Sequence, residues 1–366
     1  MRIPSKWIGS VAGLTVWWTA AAADAAVWRV PVDFPTVSAA LSAAAAGDTV
    51  QIVGNGGSTY PERLVIDKDV TLEGGWRADF AFRDPSLYVS VLRDTTDLFQ
   101  RSIVRVDGSP AVTFDGLWFI AGRLGVEATD GADLTFRDCL FRSQRNERNG
   151  FGDQPGGALH MTGGSLVMER TTVRNIITSF PGGGIGLDGV TSAVIRDSRI
   201  EQCNTRPFVQ GITKPAPGGG LWARDVPDLQ LDRVNLLQCA AQFHGGGGLY
   251  AENTGVTAVA CSVSQAFAGD EGGGMQFLNC PAVDLTACVV EESFGTDGGG
   301  LHVDGIGAFT MNGCSIRSNR TTGEGGGLWM KDAAFTFQNS EFAGNNLAPS
   351  TVPVRGGGVW SLNSSG

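Results

Sequence analysis

Apolar and polar residues alternate in short stretches along most of this chain, and the stretches repeat in register with runs of glycine. Eight times between residues 156 and 359, two or more small residues, nearly all glycine, lead into one aliphatic residue. These residues are Leu159, Ile185, Leu221, Leu249, Met275, Leu301, Leu328 and Val359. Their spacing of 26 to 36 residues predicts a solenoid, in which each repeat stacks on the next.

Equivalent residues form columns beyond the glycine runs. Four residues after each aliphatic residue the chain has only glycine, asparagine or aspartate. Those residue types tolerate positive φ, so each coil is expected to turn a corner there. The eight expected corner residues are Gly163, Gly189, Asp225, Asn253, Asn279, Gly305, Asp332 and Asn363.

Two further strands follow in each coil, with apolar residues at alternate positions. Leu134 and Phe136 begin two such columns, and Phe141 begins a third. No amphipathic helix separates the strands, so the pattern indicates a coiled sheet rather than βαβ units. The prediction is an all-β, single-stranded, right-handed parallel β-helix, whose handedness follows the general rule for parallel crossovers.

The first strands carry a family resemblance. The segments concerned are residues 28–41, 47–52, 60–66 and 70–75. They are similar to the opening of pectin-lyase-like β-helix domains. The resemblance implies a short helix that caps the first coil, here over residues 36–46, with Thr36 as its N-cap and Gly47 as its C-terminal stop.

The downstream repeats resemble the glycine-run and FxxN repeats of polymorphic outer-membrane and related surface proteins. Phe342-Ala-Gly-Asn345 matches FxxN, and Ile316-Arg-Ser-Asn319 matches it with isoleucine for phenylalanine, whereas other coils have Ile176 or Cys203 at the asparagine position. The two resemblances together cover about residues 28–366 and concern the fold. They specify no activity, because this scaffold hosts lyases, hydrolases, adhesins and inert spacers.

The N-terminus has the pattern of an export signal. Basic residues precede an apolar run over residues 7–22, which ends in two A-x-A-like sites. We expect residues 1–25 to be a signal peptide, cleaved after Ala23 or Ala25, and residues 26–366 to form one solenoid domain. An uncleaved anchor is the alternative, although the run is short for a membrane span. The expected location is secreted, at the cell surface or in the periplasm of a bacterium.

The net charge excludes some classes of partner. The formal net charge of -10 argues against nucleic acid and against an anionic membrane surface as partners.

The glycine-run repeats stop at Gly366, before the second strand of their last coil. Because an open sheet edge is normally covered, we expect a longer protein, with an abbreviated last coil as the alternative.

Most of the seven cysteines fall into the predicted columns. Cys261, Cys288 and Cys314 share one interior column, and Cys203 and Cys239 share another. Side chains on neighbouring parallel strands point the same way and rarely reach the dihedral of a disulfide, so small buried thiols are the favoured interpretation. Zinc is disfavoured, because the chain has no CxxC motif and no paired histidines.

A column of large side chains follows one residue after each aliphatic residue, on the outward side of the strand. It reads His160, Gly186, Trp222, Tyr250, Gln276, His302, Trp329 and Trp360. Exposed aromatic side chains spaced by about 4.8 Å would form a stacking platform for an extended sugar chain. The alternative is that the long loops at 204–217 and 345–355, or a partner subunit, cover the column.

The next outward column is charged and contains the catalytic candidates Asp188, Arg224 and Glu252 on successive coils. As a catalytic set, Asp188 and Glu252 would lie about 9–10 Å apart, near the upper limit for an inverting glycosidase pair, with Arg224 free to hold a uronate. As a structural set, they would form a surface salt-bridge ladder of little energetic weight. The N-x-D, D-D, G-H-G and R-x-K set of polygalacturonase-like enzymes is absent.

Three acidic residues precede consecutive glycine runs: Glu271, Asp297 and Glu324. If they stack, the carboxylates repel one another unless solvent or a cation screens them, and calcium would suit such a ladder. The alternative is three loop acids that spread apart in water. Calcium is the one cofactor that the residue pattern suggests.

The sequence leaves two functions open. One is a non-catalytic adhesion or carbohydrate-binding module, whose partner is a polysaccharide or a host or cell-surface glycan. The other is a lyase or glycoside hydrolase that acts on an acidic polysaccharide. The regular repeats and the lack of a complete catalytic set favour the first.

Overall fold

The structure is a computed structural model that describes residues 25–54, 56–94, 102–146, 155–206, 216–348 and 355–366. The expected signal peptide lies outside the described residues except for Ala25. Much of the two long loops expected to cover the aromatic column, residues 207–215 and 349–354, also lies outside them.

The described chain winds through three parallel sheets and forms a right-handed parallel β-helix, which confirms the predicted fold class. Pairing between strands is parallel throughout the described chain, and Trp76 and Arg83 form an isolated antiparallel bridge. Consecutive members of each sheet come from consecutive coils. Equivalent side chains of successive repeats are therefore neighbours in space.

Sheet 1 contains the alternating columns that begin at Leu134 and Phe136, and both columns are paired in the predicted register. Its strands are Val27–Val30, Asp48–Val53, Val70–Trp76, Ala111–Asp115, Asp133–Arg137, Ser165–Glu169, Ser192–Arg196, Leu229–Asp232, Val256–Val259, Val283–Thr286, Phe309–Asn312 and Phe335–Gln338.

Sheet 2 follows the strands of sheet 1 from Asp48–Val53 onward and bends midway, so most coils contribute a longer and a shorter strand. The strands are Ser58–Tyr60, Ser90–Leu92, Leu117–Ile120, Leu140–Arg142, Arg145–Asn146, Thr172–Thr178, Arg199–Thr205, Asn235–Leu237, Ala240–Ala241, Ser262–Ser264, Phe267–Ala268, Val289–Glu291, Phe294–Gly295, Ser315–Arg317, Arg320–Thr321, Glu341–Ala343 and Asn346–Leu347.

Sheet 3 follows the glycine runs and carries the outward columns that contain the candidate functional residues. Its strands are Leu64–Ile66, Ser102–Val106, Leu124–Ala128, Leu159–Thr162, Ile185–Asp188, Leu221–Arg224, Leu249–Glu252, Met275–Leu278, Leu301–Asp304, Leu328–Lys331 and Val359–Leu362.

The chain turns in the left-handed backbone conformation between sheet 3 and sheet 1, as predicted. All eight expected corner residues have positive φ, between 49° and 67°. Two further left-handed corners recur, one before sheet 2 and one at its bend. They are occupied by residues such as Arg170, Ala260 and Gln238, whose residue types do not predict positive φ.

The interior is filled by columns of apolar side chains that stack on their counterparts in the next coil. The rings of Phe114 and Phe136 stack with centroids 5.0 Å apart, and those of Phe119 and Phe141 with centroids 4.5 Å apart. All four rings are fully buried. At about 25 cal/mol per Å² of apolar surface removed from water, such columns dominate the stability of the solenoid.

The capping helix implied by the pectin-lyase-like resemblance is present as Val37–Ala43, shorter than the expected 36–46. Thr36 is its N-cap, and its hydroxyl accepts a hydrogen bond from the Ala39 amide. The helix ends at Ala44, in an extended conformation, rather than at Gly47. Lys68 caps this end, because its ammonium donates to the carbonyls of Leu41 and Ala44.

Polar side chains inside the bend of sheet 2 hold successive coils together. Asn319, which is fully buried, donates from Nδ2 to the Val290 carbonyl at 2.8 Å. Its Oδ1 accepts a hydrogen bond from the Ser293 amide at 3.0 Å, and the Asn345 carboxamide repeats the arrangement one coil further on. The asparagine of the FxxN sequences therefore satisfies backbone groups that the bend leaves unpaired.

Replacing Asn319 with alanine is expected to lower the free energy of unfolding by about 2–3 kcal/mol, because two buried backbone groups lose their partners. Urea denaturation followed by circular dichroism measures this. Asn312→Ala, at an exposed strand position, is the control and is expected to cost less than about 0.5 kcal/mol. Equal effects of the two substitutions would contradict the role of Asn319.

Candidate functional site

The outward aromatic column is in the predicted register on sheet 3. Trp222 pairs with Tyr250, Gln276 with His302, and the remaining members follow in order from His160 to Trp360. The expectation that the whole column is exposed is wrong. Trp222, Tyr250, Gln276 and His302 are 4%, 9%, 4% and 1% exposed, and only Trp329 and Trp360 are half-buried.

The turn that precedes each strand covers this column. The glycine three residues before each aliphatic residue folds back over its own strand, so that a Cβ atom at Gly218 would lie 2.9 Å from Cβ of Trp222. The same measure at Gly246 gives 2.8 Å to Cβ of Tyr250. The turns of the repeat itself therefore contribute to the burial of the column.

The exposed end of the column is a stack of rings rather than a platform. The rings of His302 and Trp329 lie 4.2 Å apart with an interplanar angle of 13°, and those of Trp329 and Trp360 lie 5.1 Å apart at 13°. Both faces of Trp329 are therefore covered by neighbouring rings. A sugar packs on the face of an aromatic ring, so this stack does not provide the continuous platform that the spacing predicted.

The charged column brings Asp188, Arg224 and Glu252 together on consecutive strands, as predicted. The Arg224 guanidinium donates to both carboxylate oxygens of Asp188, at 3.0 and 2.6 Å, and lies over the ring of Trp222. The hydrogen bond to Asp188 raises the pKa of Arg224 further. Glu252 accepts a hydrogen bond from the Tyr250 hydroxyl at 3.2 Å. The geometry matches the salt-bridge ladder better than a poised acid and base.

The acidic column is also in register, because the Gly246, Gly272 and Gly298 amides donate to the carbonyls of Glu271, Asp297 and Glu324 respectively. Their side chains nevertheless have separate partners. Glu271 accepts from the Gln276 amide at 2.8 Å, and Asp297 accepts from the Glu324 backbone amide at 2.6 Å.

A shared calcium ion gains no support from this arrangement. Among the described residues, no group of three or more His, Cys, Asp or Glu side chains is placed to hold a metal ion. Burial, followed by the charges of Asp270 and Asp297, raises the pKa of Glu271. Calcium at Glu271, Asp297 and Glu324 stays an untested prediction.

All seven cysteines are buried free thiols. Burial raises the pKa of the Cys139 thiol to about 12, and desolvation likewise raises that of Cys203. The protonated thiols of Cys139 and Cys203 are therefore poor nucleophiles and poor metal ligands. The pKa of Cys261 is lowered instead, first by its hydrogen bond with Cys288. All seven side chains are buried small core residues, as the favoured interpretation states.

A second outward row, at the bend of sheet 2, was not recognised from the sequence. Gln202 donates to Gln238, Gln238 to Gln265, and Gln265 to Glu292, at 3.1, 2.8 and 2.9 Å. All four side chains are exposed. The register of this row could have been read from the sequence, because each of its members stands two residues after the apolar column that begins at Phe141. A row of glutamines matches no functional motif, however, so nothing drew attention to it.

Comparisons with known proteins give one structural likeness. No protein-family model and no curated protein matches the sequence. The fold is similar to the crystal structure of tailspike protein 3 of bacteriophage CBA120, with a TM-score of 0.34 and 10% sequence identity. The match covers 92% of this chain, which spans 60% of the tailspike chain. A likeness this distant does not carry a function from one chain to the other.

The described residues also bear on membrane association. None of their helices is long and apolar enough to cross a membrane. The export signal and the location that it implies remain predictions.

His302 gives a pH test of the buried part of the aromatic column. Burial, together with the charge of Lys331, lowers the pKa of His302 to about 3, and Glu271 lies 3.5 Å away, too far for a hydrogen bond. Between about pH 6.5 and 3, His302 is protonated in the unfolded chain but neutral in the folded chain. The histidine therefore lowers stability progressively as the pH falls through that window.

We predict that His302→Phe, which keeps a flat ring against Trp329, loses about 3 kcal/mol less stability than the wild type between pH 7 and pH 4. Urea denaturation at a series of pH values measures the difference. The raised pKa of Glu271 acts in the opposite sense and is retained in the variant. Trp329→Phe, which alters the stack but removes no titratable group, serves as the control. Parallel pH profiles for wild type and His302→Phe would show that the imidazole is not buried.

Proposed function

We propose that this protein is a non-catalytic carbohydrate-binding or adhesion module, secreted or held at the cell surface, which presents one long side of its β-helix to a polysaccharide or a cell-surface glycan. The proposal concerns a binding function and assigns no reaction to the scaffold.

The observation that carries the proposal is the pairing of the three candidate catalytic side chains. Asp188 uses both carboxylate oxygens on Arg224, and Glu252 is bound by Tyr250. A glycosidase needs one carboxylic acid beside the leaving oxygen and one carboxylate available for water or for the sugar. A lyase needs a cation that can hold a uronate. Here Asp188, Arg224 and Glu252 are each already bound to another side chain of the protein.

The scaffold itself supports a binding role. Successive coils repeat the same outward positions at the strand spacing of about 4.8 Å, so a row of like side chains faces solvent along the helix axis. The Gln202–Gln238–Gln265 row is an example, and each of its members offers both donors and acceptors. A polymer of hydroxyl-bearing units presents a matching series of donors and acceptors.

The proposal is tested by incubation with polygalacturonate, alginate and neutral glucans, with and without calcium. We expect no unsaturated product absorbing in the ultraviolet, no new reducing ends, and retained binding of at least one polysaccharide in a pull-down. Arg224→Ala is expected to change neither result.

Turnover that disappears in Arg224→Ala, but survives in the exposed-site control Arg105→Ala, would establish the lyase or hydrolase alternative. The same outcome would refute the binding module.

A further inference from the structure

An open depression lies on the outer side of the bend in sheet 2. It extends over three coils and has a volume of about 320 Å³. The lining residues are Ser143, Arg145, Asn175, Ile177, Gln202 and Asn204. They come in pairs two residues apart, one at the left-handed corner and one in the stretch of strand after it, which in most later coils is the separate short strand. Four of the six side chains are uncharged and polar.

The strand register continues the same two rows beyond the depression. Asn204 pairs with Ala240, Ala240 with Phe267, and Phe267 with Phe294. The corner row continues beside it through Gln238 and Gln265 to Glu292. Six coils thus contribute to one track, and five intervals of about 4.8 Å make it about 24 Å long. We call this track the corner groove.

The amide row gives the corner groove its hydrogen-bonding capacity. Each glutamine donates one hydrogen to the next coil, so each side chain is held in place by its neighbours. Each NH₂ group keeps a second hydrogen, and each carbonyl oxygen keeps a second lone pair, toward solvent. Fixed, exposed groups that both donate and accept are suited to hydroxyl groups, which also do both.

The short-strand row adds an aromatic surface. The rings of Phe267 and Phe294 stack with centroids 5.6 Å apart and planes within 7°. Phe267 is nevertheless 40% exposed, and the coil on its other side has only Ala240 at the equivalent position. One face of the Phe267 ring is therefore left without a large neighbour among the described residues. This differs from Trp329, whose two faces are both covered.

Resting on the proposed function, we infer that the corner groove is the glycan-binding site and that it takes a neutral polysaccharide lying along the helix axis. The ring face of Phe267 packs against the C–H face of a sugar, and the amide row binds hydroxyl groups on neighbouring units. Within these six coils the charged members, Arg145 and Glu292, lie in the first and the last coil, and the side chains between them are uncharged; Arg320 follows Phe294 in the next coil as a single cation. An acidic chain would find no row of cations there.

Binding is measured by affinity electrophoresis and calorimetry with laminarin, yeast mannan and dextran as neutral probes, and polygalacturonate and alginate as acidic probes. We expect the wild type to bind a neutral probe. Phe267→Ala is expected to weaken that binding at least tenfold, and Gln238→Ala about threefold. Ala240→Arg, which leaves the Phe267–Phe294 stack in place and covers the open ring face, is also expected to weaken it at least tenfold.

Matched controls lie on other surfaces. Phe82→Ala removes another exposed ring, and Gln230→Ala removes an exposed amide from sheet 1; both should bind like the wild type. Thermal unfolding of every variant shows whether it is folded, and Ala240→Arg keeps the test informative if Phe267→Ala is unstable.

Three results would overturn the inference. Wild-type affinity in all corner-groove variants would place the glycan elsewhere and leave the proposed function intact. Tighter binding of the acidic probes would overturn the neutral class alone. Binding of no polysaccharide at all, for example with the groove instead mediating self-association, would end the proposed function and this inference together.

Discussion

The close approach of successive coils at the glycine runs is the constraint on which the rest of this structure depends. A Cβ atom on Gly273 would lie 2.3 Å from the carbonyl oxygen of Gly299 and 2.3 Å from a backbone carbon of Phe294. Gly219 and Gly247 are similarly placed, each within 2.4 Å of the backbone of the following coil. These contacts are with backbone rather than with flexible side chains. No residue larger than glycine fits without moving a coil.

That approach sets the register, and the register decides which side chains stack. Once the coils are held at one strand spacing, each side chain packs against the equivalent side chain of the neighbouring coil. Phenylalanines stack on phenylalanines in the core, and Asn319 and Asn345 bind successive coils inside the bend. Outside, opposite charges such as Asp188 and Arg224 neutralise each other, and glutamines form a chain of amide hydrogen bonds. The same geometry thus pairs the side chains of the charged column with one another and leaves the amide row exposed to solvent.

Much of this could be predicted from the sequence, because period-two alternation and the glycine period determine neighbours in a solenoid. The corner that follows each sheet 3 strand was predicted residue by residue, since Asn253 and its equivalents belong to types that tolerate positive φ. The two other corners were not predicted, because residues such as Arg170 and Gln238 are not of types that tolerate positive φ well. The aromatic column was placed in the correct register, but its exposure could not be predicted, and most of it is buried. Alternation gives the side of a strand on which a residue lies, not whether the preceding turn folds over it.

The central claim is that the glycine runs are required by the contact between coils rather than by a ligand. It is tested most directly by comparing Gly273→Ala with Gly358→Ala, which substitutes the same kind of run where a Cβ atom would meet nothing within 4 Å. Urea denaturation should show a loss of more than about 3 kcal/mol for Gly273→Ala and a change within about 1 kcal/mol for Gly358→Ala. If Gly273→Ala is as stable as the wild type, the coils do not approach as described, and the columns derived from that contact would have to be abandoned.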